Sequence, residues 1–305
     1  MKFIKSLILP VSLLMAVLVI ASCSKSKSKT DEVEIDPEGA PPKVWKEHWG
    51  YHHQVLNRVY YDDHLALYYD NNMDRSITWL NKAMSDSWAY VIENYGAFGT
   101  DKRLFVICHK TVDTTNNLGG GHPASYMDAS HDNRNVIDNG LGSWTYPTGE
   151  QIGLPIHEIG HIVANASFGR QHEDQNIWGD SKFAEIFVYD VLLHIGREDE
   201  ASREYYQMQN TYDTFPRPNT QWFKNWFYPI YKKYGGGKLL SRYFEILSKN
   251  VENRDLNWGE FIHFWSGAAG ANLKEQATIA FGWPDEWETQ FRQAQKDFPN
   301  VKYNY

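Results

Sequence analysis

The pentad His157-Glu158-Ile159-Gly160-His161 sets two imidazoles four residues apart. On an α-helix that spacing puts both on one face, where they can reach a single ion. Two imidazoles with one further protein ligand make a zinc set that leaves a fourth position for water. Zinc acidifies that water toward neutral pH while a nearby carboxylate takes the proton. The chemistry implied is attack of water on a peptide carbonyl, with His157 and His161 as metal ligands, Glu158 as catalytic base and Zn2+ as cofactor. Ile156, Ile159, Ile162, Val163 and Ala166 supply the apolar surface on which such a helix would pack. Pro155 suits its first turn.

A third ligand must come from elsewhere. The metzincin pattern needs Gly three and His six residues after the second histidine, where this chain has Ala164 and Ser167. The segment from Asp180 to Ile195 reads as a strongly apolar helix, capped by Asp180 or Ser181 and stopped by Gly196. Glu185 is a carboxylate set among Phe183, Ala184, Ile186 and Phe187.

An H-E-x-x-H helix followed by a Glu on the next helix resembles the gluzincin peptidases. Here 23 residues separate His161 from Glu185, longer than in thermolysin-like members. The spacing is similar to that of the enhancin-like gluzincins, which include viral enhancins and bacterial peptidases acting on mucin-type glycoproteins. The resemblance covers Leu154 to about Gly196, and returns weakly in Gly259–Gly270 and in Phe281-Gly-Trp-Pro284. It does not reach the first 140 residues. What it implies is a zincin-like fold, Glu185 as third metal ligand, and a protein or glycoprotein substrate. One departure bears on the ligand. Many gluzincins carry Asn-Glu-Gly-Phe-Ala with the ligand before the Gly, and the matching stretch here is Asp180-Ser181-Lys182-Phe183-Ala184. In that register Ser181 would stand in the ligand's place, and Asp180 becomes an alternative ligand or a partner that orients a ligand histidine.

Other polar residues are weaker candidates. His172, Glu173 and Asp174 sit in a polar loop and are expected to be solvated. His109, His122 and His131 flank a Gly-rich segment, Asn117 to Pro123, but no spacing among them makes a metal set. Tyr228, Tyr231, Tyr234 and His263 are candidates to stabilise an oxyanion.

The elements that must position these groups change character near residue 145. Val55–Tyr61, His64–Asp70 and Arg103–His109 read as strands, and Arg75–Tyr95 has helical periodicity. From Gln151 on the signals are helical, broken at Thr211–Asn219 and at Gly235. The expected class is α+β: a mixed, sheet-bearing lobe over 44–150, then a mainly helical lobe over 151–305, with the active site between them. An extended substrate would lie along an edge strand of the sheet.

Residues 1–22 read as a secretory signal, basic at Lys2 and Lys5 and then mostly apolar. It ends in Ile20-Ala21-Ser22-Cys23, which resembles the lipobox of bacterial lipoproteins and implies lipidation of Cys23. That gives a membrane partner through the lipid anchor. Ser24, rather than Asp, favours the outer membrane, with the domain facing the periplasm or the exterior. Residues 23–43 are a flexible tether of Ser, Lys, acidic residues, Pro and Gly. Only Cys108 remains beyond the lipobox, so the mature domain has no internal disulfide. The formal net charge of -8 argues against nucleic acid, which demands clustered Lys and Arg. Aromatic residues make up 15% of the chain, with twelve Trp, and most are expected in the core. Three readings follow: a zinc-dependent endopeptidase, a non-catalytic glycan- or protein-binding lipoprotein that retains a zincin fold, or a different hydrolase on the same metal site, for which nothing in the chain speaks specifically. The intact Glu158 favours the enzyme.

Overall fold

Leu65-Ala-Leu-Tyr-Tyr69 and Leu104-Phe-Val-Ile-Cys-His109 are continuous apolar runs, the pattern of strands covered on both faces. They are the central strands β3 (Leu65–Tyr69) and β4 (Leu104–His109) of a six-stranded sheet. With β1 (Val44–Lys46), β2 (Val55–Tyr61), β5 (Gly121–Ala124) and β6 (Asn135–Leu141), the order is β1-β2-β3-β4-β6-β5. β3, β4 and β6 run parallel, while β1/β2, β2/β3 and β5/β6 are antiparallel. The sheet is therefore mixed, and β5 is one of its edges. The computed structural model describes residues 36–110, 120–179 and 181–304. Cys23, the signal segment, most of the tether and Asp180 lie outside the described residues.

Parallel neighbours need a long crossover, which between β3 and β4 is α1 (Trp79–Tyr95). The helix begins four residues later than the periodicity from Arg75 suggests. The Asp74 carboxylate and carbonyl accept the Ser76 and Ile77 N–H groups, and that local turn competes with a helical start. From Glu150 onward the described residues hold only helices and isolated bridges as regular structure. In order these are α2 (Glu150–Ala166), α3 (Gln175–Trp178), α4 (Lys182–His194), α5 (Glu198–Met208), α6 (Tyr228–Tyr234), α7 (Gly237–Asn250), α8 (Trp258–Ala269), α9 (Lys274–Phe281) and α10 (Asp285–Asp297). The architecture is α+β.

Side-chain alternation divides the sheet between two cores. Leu65, Leu67, Tyr69, Leu104, Val106, Cys108 and Ile137 pack with α1, α2 and the later helices. Ala66, Tyr68, Phe105, Ile107, Val136 and Ala124 face the other way, under Trp45 and Trp49. Most of the aromatic content is structural. Trp88, Trp144, Trp178, Trp222, Trp226 and Trp265 are all fully buried, and Tyr243 stacks on Trp265 with ring centres 4.1 Å apart. Among the described residues no helix is long and apolar enough to cross a membrane.

Three strands, the short β1 and both β5 and β6, escape a reading of sequence pattern. β5 contains Gly, His and Pro, and β6 is rich in Asn and Asp. Both are poor strand compositions by propensity, and both are held by pairing with each other and with β4.

Candidate functional site

The H-E-x-x-H pentad lies in the middle of α2, whose first residue is Glu150. Pro155 is therefore interior to the helix and not in its first turn. Ile152, Ile156, Ile159 and Val163 anchor one side of α2 in the helical core. His157 and His161 emerge together from another side, with ring centres 5.0 Å apart and planes at 68°. Between them, Gly160 faces α4, where a side-chain carbon would lie 3.3 Å from Ala184 Cα and 3.1 Å from Phe187. The missing side chain lets the two helices close.

His157, Glu158 and His161 all line one cleft of about 640 Å³, whose other wall is edge strand β5. Glu158 is only 5% exposed. It lies directly against Gly121 of β5: a Cβ there would sit 2.2 Å from Glu158 Cδ and Oε1. The backbone of the edge strand and the candidate base thus share space that only glycine leaves open. Within the cleft, Glu173 Oε1 is 3.2 Å from His161 Nδ1. With its proton on Nδ1, His161 donates to Glu173, as a carboxylate that orients a ligand histidine would require. The loop residues 172–174 are thus not simply solvated. Asp174 is buried beside Arg170, and burial pushes its carboxyl up to about 6, against the opposing pull of Arg170. His172 alone meets the expectation in part, pairing with exposed Asp255.

Glu185 stands on the first turn of α4, almost buried. Its Oε1 is 2.6 Å from Lys182 Nζ, which also reaches Asp213 Oδ1 at 2.7 Å. Burial raises its carboxyl to about 7, although Lys182 opposes the shift. Glu185 does not line the cleft of His157 and His161; Ser181, the residue before α4, does. His157 also lines a second cavity of about 700 Å³ with Leu154, Val188, Leu192, Glu204 and Met208. Val188 and Leu192 lie one and two turns beyond Glu185 on α4. Burial, with a contribution from Glu185, holds the Glu204 carboxyl up near about 7. Tyr228, Tyr231, Tyr234 and His263 line neither cavity. Tyr231 donates to Asp190 at 2.7 Å, and His263 is buried against Tyr303 and the Phe298 carbonyl.

A different cluster gathers on the other face of the sheet. Glu47, His52, His109 and Asp138 place ligand atoms that all lie within 4.8 Å of one another, a set able to hold a metal ion. Among the described residues it is the set that meets this criterion, and it does not include His157, His161 or Glu185. His109 does join a candidate metal set, but with residues from two other segments and not with His122 or His131. As bare side chains the four balance opposite charges. Burial works against the His52 and His109 cations, yet Asp138 and Glu47, joined at His109 by Asp70, raise them to about 9 and about 11. Burial also opposes the Glu47 and Asp138 carboxylates, but the two imidazoles hold both below their usual range. The one local hint in sequence is the density of Glu47, His48, His52 and His53 within seven residues.

Comparison with protein-family models, with curated proteins and with solved structures finds no match to this chain.

Proposed function

We propose that this chain is a zinc-dependent endopeptidase with a zincin-like fold, similar to the enhancin-like gluzincins, exported as a lipoprotein anchored at Cys23 and acting on proteins or glycoproteins. The observation that carries the reading is Glu158, a buried carboxylate between two histidines of one helix face, pressed against the backbone of an edge strand in a shared cleft. A binding protein has no use for a carboxylate so placed.

Two imidazoles on one face and a carboxylate on His161 to set its tautomer are donors suited to zinc, whereas Glu185, the proposed third ligand, stands outside their cleft and is paired with Lys182. A zinc ion bound there would acidify its water toward neutral pH. The protein's own groups do the rest. Glu158 accepts the water proton and returns it to the departing amine. The outer edge of β5 pairs with no strand of the sheet, and it offers its backbone groups to an extended peptide. Pro123 lacks an N–H, which an edge tolerates. The second cavity beside His157 would receive a side chain of the substrate.

One observation favours the alternative, a non-catalytic glycan- or protein-binding lipoprotein: Lys182 occupies Glu185, so metal binding requires that ion pair to open. The two readings separate in one experiment on the purified full chain, combining zinc analysis with cleavage of an unfolded protein and of a mucin-type glycoprotein. The endopeptidase reading expects zinc that falls by one equivalent in Glu185→Ala and in His157→Ala/His161→Ala. It also expects cleavage that drops by about 10²-fold or more in Glu158→Gln with zinc retained. Cleavage unchanged by Glu158→Gln would overturn it, as would zinc content unchanged by removing both histidines.

A further inference from the structure

We propose that Glu47, His52, His109 and Asp138 bind a first-row divalent cation, Zn2+ or a close relative, in a structural site separate from the α2 cleft. The proposal does not depend on the endopeptidase reading.

The geometry has the form of a coordination shell. His109 Nε2 is 2.9 Å from both Glu47 Oε1 and Asp138 Oδ1, and His52 Nδ1 is 2.8 Å from Asp138 Oδ2. Ligand atoms on one ion at bonds of about 2.1 Å are separated by about 3.0 Å in octahedral and about 3.4 Å in tetrahedral geometry. Of these contacts only His109 Nε2–Asp138 Oδ1 also has the direction of a hydrogen bond. Glu47 Oε1 and His52 Nδ1 are buried and make no hydrogen bond, despite neighbours close enough for one. One imidazole nitrogen cannot give its single proton well to two carboxylates. A cation at the point where these atoms converge satisfies all of them.

The two carboxylates are held from behind as orienting partners would hold them. Glu47 Oε2 accepts the Gln54 N–H at 2.9 Å. Asp138 Oδ2 accepts the Trp49 indole N–H at 3.0 Å. His109 Nδ1 faces Asp70 Oδ2 at 3.5 Å, and that carboxylate is fixed in turn by the Lys110, Asn72 and Met73 N–H groups. Glu47 and His109 are wholly buried, Asp138 nearly so. Two carboxylates with two neutral imidazoles cancel a 2+ charge, which matters where water is excluded. The mixture of imidazole and carboxylate selects zinc and its first-row neighbours over the hard Ca2+ and Mg2+.

Topology gives the site its role. His109 ends β4, where a bulge against β6 shifts the register between Cys108 and His109 and re-aims the side chain. Asp138 is on β6 opposite His122 of β5. Glu47 and His52 belong to the segment between β1 and β2. A cation there ties that segment to β4 and to β6, the strand that pairs with β5, whose Gly121 lies against Glu158.

The test strips the full chain with a chelator, reloads it with Zn2+, and reads bound zinc and melting temperature. In His157→Ala/His161→Ala, one equivalent should still bind and should raise the melting temperature by about 5 °C. His52→Gln, made in the otherwise native chain, leaves α2 untouched and should bind one equivalent fewer than wild type. If the double variant does not fold, His52→Gln alone decides. Zinc content and zinc-induced shift equal to wild type in His52→Gln would overturn the proposal, and so would a folded double variant that binds no zinc.

Discussion

Gly121→Ala offers a probe of the candidate base that alters neither the base nor any proposed ligand. The added methyl would sit 2.2 Å from Glu158 Cδ and Oε1 and 2.4 Å from Cγ. Ordinary contact needs about 3.5 Å, so the carboxylate must retreat by roughly 1.3 Å. Gly121 does not occupy the left-handed region, so alanine fits the strand backbone, and the atoms it strikes belong to the Glu158 side chain and not to backbone. The fold should therefore persist, with stability within about 1 kcal/mol of wild type. A displacement of about 1 Å in a catalytic group costs on the order of 10²-fold in rate, or about 2.7 kcal/mol of transition-state stabilisation. The assay is kcat/KM on an unfolded protein substrate, beside zinc content and melting temperature. The expected outcome is a 100-fold loss with zinc unchanged. A variant of wild-type kcat/KM would refute the assignment of Glu158 as base, and a loss that merely tracks lost zinc would refute the displacement argument.

Two further outcomes follow from groups away from the cleft. Asp190 is fully buried and accepts the hydroxyls of Tyr90 at 2.5 Å and Tyr231 at 2.7 Å. Asp190→Ala strands both donors and should cost about 3 kcal/mol, seen as a fall of about 6 °C in melting temperature; a fall within 1 °C would remove this network from the account of stability. Glu204, held by burial near about 7, is a carboxyl whose folded pKa is raised. Its contribution to stability is complete below the usual carboxylate range and is lost as pH rises through about 7. Glu204→Gln should therefore gain in melting temperature relative to wild type between pH 5 and pH 8. A difference that stays constant across that interval would show that Glu204 titrates normally.

Local patterns were sufficient for much of this protein. The continuous apolar runs at 65–69 and 104–109 are buried strands because a strand covered on both faces has no polar positions to show. The pentad required a helix for its spacing to mean anything, and α2 provides it. The helix from Lys182 to His194 follows from an apolar run between a capping region and Gly196. What escaped the sequence has a common cause: each case depends on partners distant along the chain. β5 and β6 have poor strand compositions and exist through pairing with each other and β4. Pro155 falls inside α2 because the helix packs against core on its buried side, and packing outweighs the preference for a first turn. Glu173 reads as a solvated loop residue until the fold sets it on His161.

The residue types and spacing by themselves determined that two imidazoles and a carboxylate share one helical turn, because helical periodicity is a local property. Only the tertiary structure decided that Glu158 lies against the backbone of an edge strand, that Lys182 holds Glu185, and that Glu47, His52, His109 and Asp138 meet across 92 residues of sequence. No local rule relates those four positions, since strand pairing and the bulge at His109 bring them together, and both arise from long-range packing.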